Sequence, residues 1–357
     1  MSTVIPETVA AERITDWSDE VDVVVAGFGI AGGCAAVEAA ARGARVLVLE
    51  RAGVAGGTTA LAGGHFYLGG GTAVQRATGH EDSAEEMYKY LLSVARDAEP
   101  EKIRAYCEGS VEHFDWLEGL GFEFERSSYP EKAVIQPGTQ GLMYTGNEKV
   151  WPYREQAVPA PRGHKVPVPG DTQGAAMIIE LLVKRASELG VEVRYETGVT
   201  NLVVDGSGSV VGVGWKNLGR TGAVRAKAVV LAAALGIPYE TMKATLDRYN
   251  ADAARGEDSE FHKAAEWLEP QDRGPWAAFD LTLGKALYAG FTLGGLRTSA
   301  DGEVLRDNGS AIRGLYAAGA TSSTLAQDGK GYSSGTQLGS GSFFGRRAGR
   351  HAASRVS

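Results

Sequence analysis

Residues 21–26 (VDVVVA) form a short, β-branched apolar run, which predicts a strand of a parallel sheet buried on both faces. Residues 31–42 are Ala-rich and closed by Gly43, a helix with its stop signal. Residues 45–49 (RVLVL) predict a second buried strand, so the three segments together have the size of a βαβ crossover, about 30 residues. Between residues 83 and 120 apolar positions such as Tyr106, Phe114, Trp116 and Leu117 recur three and four apart, the period of a helix. Residues 175–189 predict an amphipathic helix ended by Gly190. The segments VEVRYETGVTNLVVD, VVGVGW and KAVVLAA then read as short strands with turn residues between them. Residues 238–254 are helical in pattern, and the last third returns to Gly-separated strands and a Gly/Ser-rich entry into a helix. Residues 1–19 read as a loose arm, 53–71 as a Gly-rich loop, and 121–173 as an irregular Pro- and aromatic-rich excursion.

Sheet signals fall both before residue 60 and after residue 190, so the excursions are inserted into one doubly wound α/β domain. The expected division is an arm (1–19), a nucleotide-binding domain (20–235) with a helical insertion (81–173), a second-domain remnant (236–290) and a return to the first domain (291–357). No internal repeat is present.

Composition narrows the function. Glycine is in excess, with 49 in 357 residues, and it clusters rather than repeating, which fits loops where backbone approaches a ligand. The net charge of −8 argues against a nucleic-acid surface. No apolar run is long enough to span a membrane, and the N-terminus lacks the pattern of a secretory signal. The two cysteines, Cys34 and Cys107, are not expected to form a disulfide, and the cytoplasm is the expected compartment. None of the histidines has metal-ligand spacing, so no metal is expected.

Three glycine motifs carry the chemistry. In GFGIAG, Gly27 permits a tight turn, Gly29 lets backbone reach a pyrophosphate and Gly32 lets helix and strand pack closely. Ile30 and Ala31 open the helix whose N–H groups face the phosphates, and Glu50 ends the second strand, where a carboxylate can hold a ribose diol. A bare structural turn is the alternative for that motif alone. The second motif, RAGVAGGTTALAGG (51–64), follows the acid directly, where a nicotinamide enzyme has no need of a Gly-rich loop but the longer FAD does. A flexible surface loop is its bland alternative. The third is GLYAAG (314–319), followed by GTQLGSG (335–341).

In this order the motifs resemble the flavoprotein oxidoreductase family that includes fumarate reductases and 3-ketosteroid dehydrogenases, over roughly residues 20–235 and 270–350. The resemblance implies a Rossmann-like FAD-binding domain with a parallel sheet and β-meander, and a remnant of a helical cap domain. It implies that Arg51, Gly56, Gly57, Thr58, Thr59, Gly63, Gly64, Val199, Ala232 and Gly319 contact FAD. Thr336, Gln337 and Leu338, at the start of the closing helix, would meet the flavin, whose reduced charge backbone N–H groups stabilise. Thr58 and Thr59 stand where members with histidyl-linked flavin have their His, so the FAD is expected to be non-covalent.

Fumarate reductases carry an Arg in the C-terminal segment to hold the substrate carboxylate, and this chain has Tyr332 at that place. Tyr332-Ser333-Ser334-Gly335 is instead similar to the 3-ketosteroid dehydrogenases, closest to those that act on 5α-steroids and form the 4,5 double bond. Residues 160–164 (APRGH) look like that subgroup too. Desaturation beside a ketone takes a proton from the α-carbon and a hydride from the β-carbon, and needs the ketone oxygen stabilised. The resemblance gives Tyr332 and Gly335 to that oxygen and Ser334 to a proton relay. An aromatic flanking a Gly turn is the plainer alternative for Tyr332, and Arg162 and His164 fit either a substrate-orienting or a structural role. The expected partners are a 3-ketosteroid and an electron acceptor the sequence does not name. Fumarate or enoate reduction, and FAD binding without turnover, remain the alternatives.

The resemblance breaks after KAVVLAA (227–233). Family members continue into a long cap, whereas this chain runs from Ala234 through Pro238 into YETMKATLDRYN, which resembles the cap's end. About a hundred residues of cap are expected to be missing, on the usual domain scale.

Overall fold

The computed structural model describes residues 8–95, 99–132, 136–170, 173–232, 251–257, 293–323, 325 and 331–355. The chain divides into two units, Thr8–Ala234 with Ala289–Ser357, and Met1–Glu7 with Leu235–Tyr288. In the second, residues 251–257 are described, a short helical stretch in which Arg255 pairs with Asp252. The junction after Ala233 and most of the expected cap remnant lie outside the described residues.

The first unit begins with β1 (Thr8–Ala10), β2 (Asp19–Ala26), α1 (Ile30–Ala41) and β3 (Val46–Leu49). Next come β4 (His65–Tyr67), α2 (Ala73–Ala77), α3 (Ala84–Val94), α4 (Pro100–Glu108) and α5 (Ser110–Glu118). β5 (Leu142–Met143), β6 (Gly163–Lys165) and α6 (Ala176–Glu188) lead to β7 (Glu192–Arg194), β8 (Thr197–Val204), β9 (Val210–Asn217) and β10 (Arg220–Leu231). The chain closes with β11 (Glu303–Leu305), β12 (Ala311–Ala317) and α7 (Thr336–Ser354).

Among the described residues, nine strands form one sheet with the path β1-β8-β9-β10-β2-β3-β7, and β12 joins it beside β10. β2, β3, β7, β10 and β12 run parallel where they pair, while β8, β9 and β10 make an antiparallel meander. The valine runs explain the sheet's centre. Val23, Val25, Val46, Val48, Ala228 and Val230 fill the core on one face, with α1, α6 and α7. Their sequence neighbours Val24, Leu47, Leu49, Val229 and Leu231 fill a second core with residues of β8, β9, β11 and β12. Both faces are dry, so the strands read as continuous rather than alternating apolar runs.

Three expectations differ in detail. Part of the arm is ordered, because Thr8–Ala10 pairs parallel with Leu202–Val204 at the sheet edge. The helical pattern over 83–120 comprises three helices: Ala95 leaves α3 in an extended conformation with ψ 131, Pro100 opens α4, and Gly109 separates α4 from α5. The Gly-rich loop also contains a strand, since β4 pairs with β6 in a separate three-stranded sheet, β4-β6-β5.

Candidate functional site

β2, β3, β10 and β12 end at one edge, where ligands of open α/β sheets bind. The β2–α1 turn starts with Gly27, held at φ 94, a conformation that side chains disfavour. A Cβ on Gly32 would overlap the Gly27 carbonyl, so the turn closes only because Gly32 has none. Glu50, 8% exposed at the end of β3, accepts the Phe28 N–H at 2.7 Å through Oε2 and the Ala52 N–H at 2.7 Å through Oε1. The carboxylate therefore ties the turn to the loop that follows it.

That loop folds back over α1. Gly56 donates its N–H to the Phe28 carbonyl at 2.8 Å, and the Ile30 N–H reaches Thr59 Oγ1 at 3.1 Å. Gly57 is half-buried while Arg51 and Thr58 are exposed. Gly63 and Gly64 lie against residues 174–175 at the start of α6, where a Cβ on Gly64 would come within 3.0 Å of Gly174 C. Gly198, next to Val199 on β8, faces the Arg51 side chain, its Cβ position lying 3.3 Å from Arg51 Cγ. Ala232 follows β10 and stands 3.2 Å from the Cβ position of Gly32.

The third motif closes the site. Gly319, just past β12, sits against Ala31, and Gly341 on α7 would place a Cβ 3.2 Å from Ile30 Cγ2. α7 starts at Gly335, which has φ 97. Thr336 is buried and gives its N–H and hydroxyl to the Ser333 carbonyl at 3.0 and 2.7 Å; Leu338 is buried and Gln337 half-buried. The Gly335 carbonyl accepts the Tyr67 N–H at 3.0 Å. Of the residues expected to bind FAD, Gly27, Gly29, Gly32, Glu50, Gly56, Thr59, Ala232 and Gly319 thus meet at the β2–α1 turn and the start of α1, whereas Gly63 and Gly64 pack against the start of α6 and Arg51 lies beside Gly198 of β8.

FAD fits this arrangement. α1 and α7 both begin at a glycine that offers no side-chain cap, and neither carries an acidic residue in its first turn. Their positive ends suit a pyrophosphate and negative charge on a reduced flavin, although the Ile30 N–H is already held by Thr59 Oγ1 and the Thr336 N–H by the Ser333 carbonyl.

Tyr332 and Ser334 are half-buried on the segment entering α7, and burial pushes the Tyr332 phenol up to about 12. Arg162 and His164 prove internal to the fold. Arg162 pairs with Asp82 at 2.7 Å with both side chains fully buried; burial raises the Asp82 pKa, but Arg162, the Gly70 N–H and Gln75 together lower it below the usual value. His164 contacts Thr72 Oγ1 at 2.8 Å and the Arg162 carbonyl at 3.1 Å.

Behind the 332–335 segment lies a buried polar cluster that sequence reasoning missed: Tyr67, Tyr90 and Glu148. The Tyr67 hydroxyl donates to Glu148 Oε1 at 2.9 Å, and Tyr90 Oη lies 3.4 Å from Ser333 Oγ. Burial raises the Glu148 pKa, and burial followed by the Glu148 charge pushes Tyr90 up to about 12. Glu148 lies in the irregular 121–173 excursion, where no period marks a buried acid. Among the described residues no group of three metal-binding side chains occurs, and no helix is long and apolar enough to cross a membrane.

The FAD binding domain family profile matches residues 22–238 and 233–342. The chain is 36% identical over 202 residues to the 3-oxo-5-alpha-steroid 4-dehydrogenase of Comamonas testosteroni, covering 55% of this chain and 37% of that protein. A solved structure of 3-ketosteroid-delta4-(5alpha)-dehydrogenase from Rhodococcus jostii RHA1, in complex with 4-androstene-3,17-dione, has TM-score 0.77 and 34% identity, covering 97% of this chain and 99% of that one. A flavocytochrome c3 fumarate reductase, at 20% identity and TM-score 0.64, shares the fold over 95% of this chain and 79% of its own. The chain spans about a third of the length of the curated relatives it matches, 37% and 31% for two of them.

Proposed function

Because the chain belongs to the FAD binding domain family, we propose that it uses FAD, bound non-covalently, to desaturate a 3-ketosteroid beside the ketone at the 4,5 position. One observation carries the reading. The Tyr-Ser-Ser-Gly segment runs directly into the uncapped N-terminus of α7, whose first turns pack on Ile30 and Gly319 at the FAD edge of the sheet. The steroid dehydrogenases among the relatives support the substrate class.

In this reading bound FAD supplies the acceptor for the hydride of the steroid β-carbon. Tyr332, its phenol kept protonated by burial, donates to the ketone oxygen together with the Gly335 N–H, which makes the α-proton acidic. Ser334 passes that proton outward. The 27–32 turn, Glu50 and the 56–59 loop hold the cofactor, with Gly63, Gly64, Val199, Ala232, Gly319 and residues 336–338 completing its walls. An external electron acceptor completes the cycle.

Incubation with a saturated 5α-3-ketosteroid and an artificial electron acceptor tests the substrate. The expected product is the conjugated 4-ene-3-ketone. Oxidation of the dithionite-reduced protein by fumarate, with no steroid product, would favour the reductase reading, against which the neutral Tyr332 at the substrate-clamp position stands.

A further inference from the structure

The 332–335 segment is held from behind by two side chains that no substrate or cofactor role requires. Ser333 is fully buried, and its Oγ lies 3.4 Å from Tyr90 Oη on α3. Tyr90 Oη in turn accepts the Asn147 N–H at 2.7 Å. Gly335 is fixed from the other side, because its carbonyl takes the Tyr67 N–H at 3.0 Å while the Tyr67 hydroxyl donates to Glu148 at 2.9 Å. Glu148 Oε1 also accepts the Gly146 N–H at 3.2 Å.

Both routes end on residues 146–148. Gly146 shows how closely they converge: a Cβ there would overlap Ser333 Oγ and lie 2.5 Å from Tyr90 Oη and 2.9 Å from Glu148 Oε1. Tyr67, Tyr90, Glu148 and Ser333 are each at most 1% exposed. In a cluster this dry, removing one member leaves the groups it bonds without a partner.

We propose that Tyr90 and Glu148 are positioning residues, which fix the 332–335 segment through Ser333 and through Tyr67 so that Tyr332 and the Gly335 N–H share one orientation. The inference rests on the reading that this segment meets the substrate, but its structural half stands apart from any substrate. Tyr90 acts through the Ser333 side chain and Glu148 through the Tyr67 backbone bond to Gly335, so each deletion removes a different hold on the segment. A site of this kind loses rate when its supporting shell is loose, even with every reacting group present.

The test uses the FAD-loaded protein and three variants, Tyr90→Phe, Glu148→Ala and Glu148→Gln. Amide hydrogen exchange over residues 331–336 is expected to speed up about tenfold in Tyr90→Phe and Glu148→Ala, the scale of one lost hydrogen bond. Exchange in β2 and α1 should stay at the parent rate. Glu148→Gln, whose amide oxygen can still accept from Tyr67, should restore the parent exchange. With a steroid that reduces the parent flavin, the same two loosened variants should lose maximal rate by about tenfold with steroid affinity held. Parent-like exchange over 331–336 in both Tyr90→Phe and Glu148→Ala, with FAD retained, would overturn the proposal. A parent protein that ignores steroids would instead count against the substrate reading, and the exchange data would still decide the positioning.

Discussion

Gly345 of α7 lies against the backbone of Ala31 in α1, so that a methyl group on Gly345 would come within 2.9 Å of Ala31 Cα and overlap its carbonyl. Gly349 meets Ala35 in the same way one turn later, with its Cβ position 2.8 Å from Ala35 Cα. α1 and α7 are therefore locked together by missing side chains. Gly345→Ala should destabilise the protein by about 1–3 kcal/mol, the cost of overpacking a close contact. It should also weaken FAD binding, because α7 can no longer seat its N-terminus beside Ile30. Thermal unfolding with and without FAD measures both effects; an unchanged midpoint would mean the helices separate at no cost.

Glu50 makes a second prediction. Its carboxylate accepts two backbone N–H groups, from Phe28 and Ala52, each at 2.7 Å. Glu50→Gln puts an amide donor against one of those N–H groups. Bonds to a charged acceptor are worth about 1.5–3 kcal/mol, so FAD affinity should fall at least about tenfold. Titration by flavin fluorescence quenching reads this directly, and unaltered affinity would remove Glu50 from the cofactor site.

How far the sequence carried these features follows from distance along the chain. The turn, helix and acid of the 27–50 unit are local, so glycine spacing and a valine run reveal them before any contact is known. The glycine-rich entry into the closing helix was also legible, because it is local: Gly335 caps α7. Glu148 was not, since its role depends on Tyr67, 81 residues away, and Tyr90 reaches Ser333 across 243 residues. The strand Thr8–Ala10 was missed for the same reason: its partner, Leu202–Val204, is remote, and its own sequence is short. The break at Gly109 falls in an apolar pattern that continues on both sides, so periodicity alone does not mark it.

Acid should destabilise the fold through His164. Burial lowers its pKa to about 4, against smaller upward effects of the Arg162 carbonyl, Glu118 and Asp82. A ring with a depressed folded pKa gives its full stability above the unfolded value of about 6.5 and loses it as pH falls toward about 4. The loss should be on the order of 3 kcal/mol across that window. His113, whose pKa burial also lowers, adds in the same direction. Urea unfolding at intervals between those two pH values should show the decline, and His164→Gln should flatten it. A variant with the parent slope would assign the decline to other groups.

Tyr332→Phe separates binding from chemistry. Without the hydroxyl, the ketone oxygen keeps only the Gly335 N–H, and loss of one such donor costs roughly a hundredfold or more in rate. Steroid affinity and the FAD spectrum should change little. Equal rates for parent and variant in stopped-flow flavin reduction would remove Tyr332 from the reaction.

The most direct test is the visible spectrum of the FAD-loaded protein, recorded anaerobically before and after a saturated 5α-3-ketosteroid is added. Bleaching of the flavin bands, with the 4-ene-3-ketone recovered from the same cuvette, is the predicted result. Flavin bands that stay at full strength with steroid in excess would contradict steroid oxidation by this chain and leave it as a FAD-binding protein.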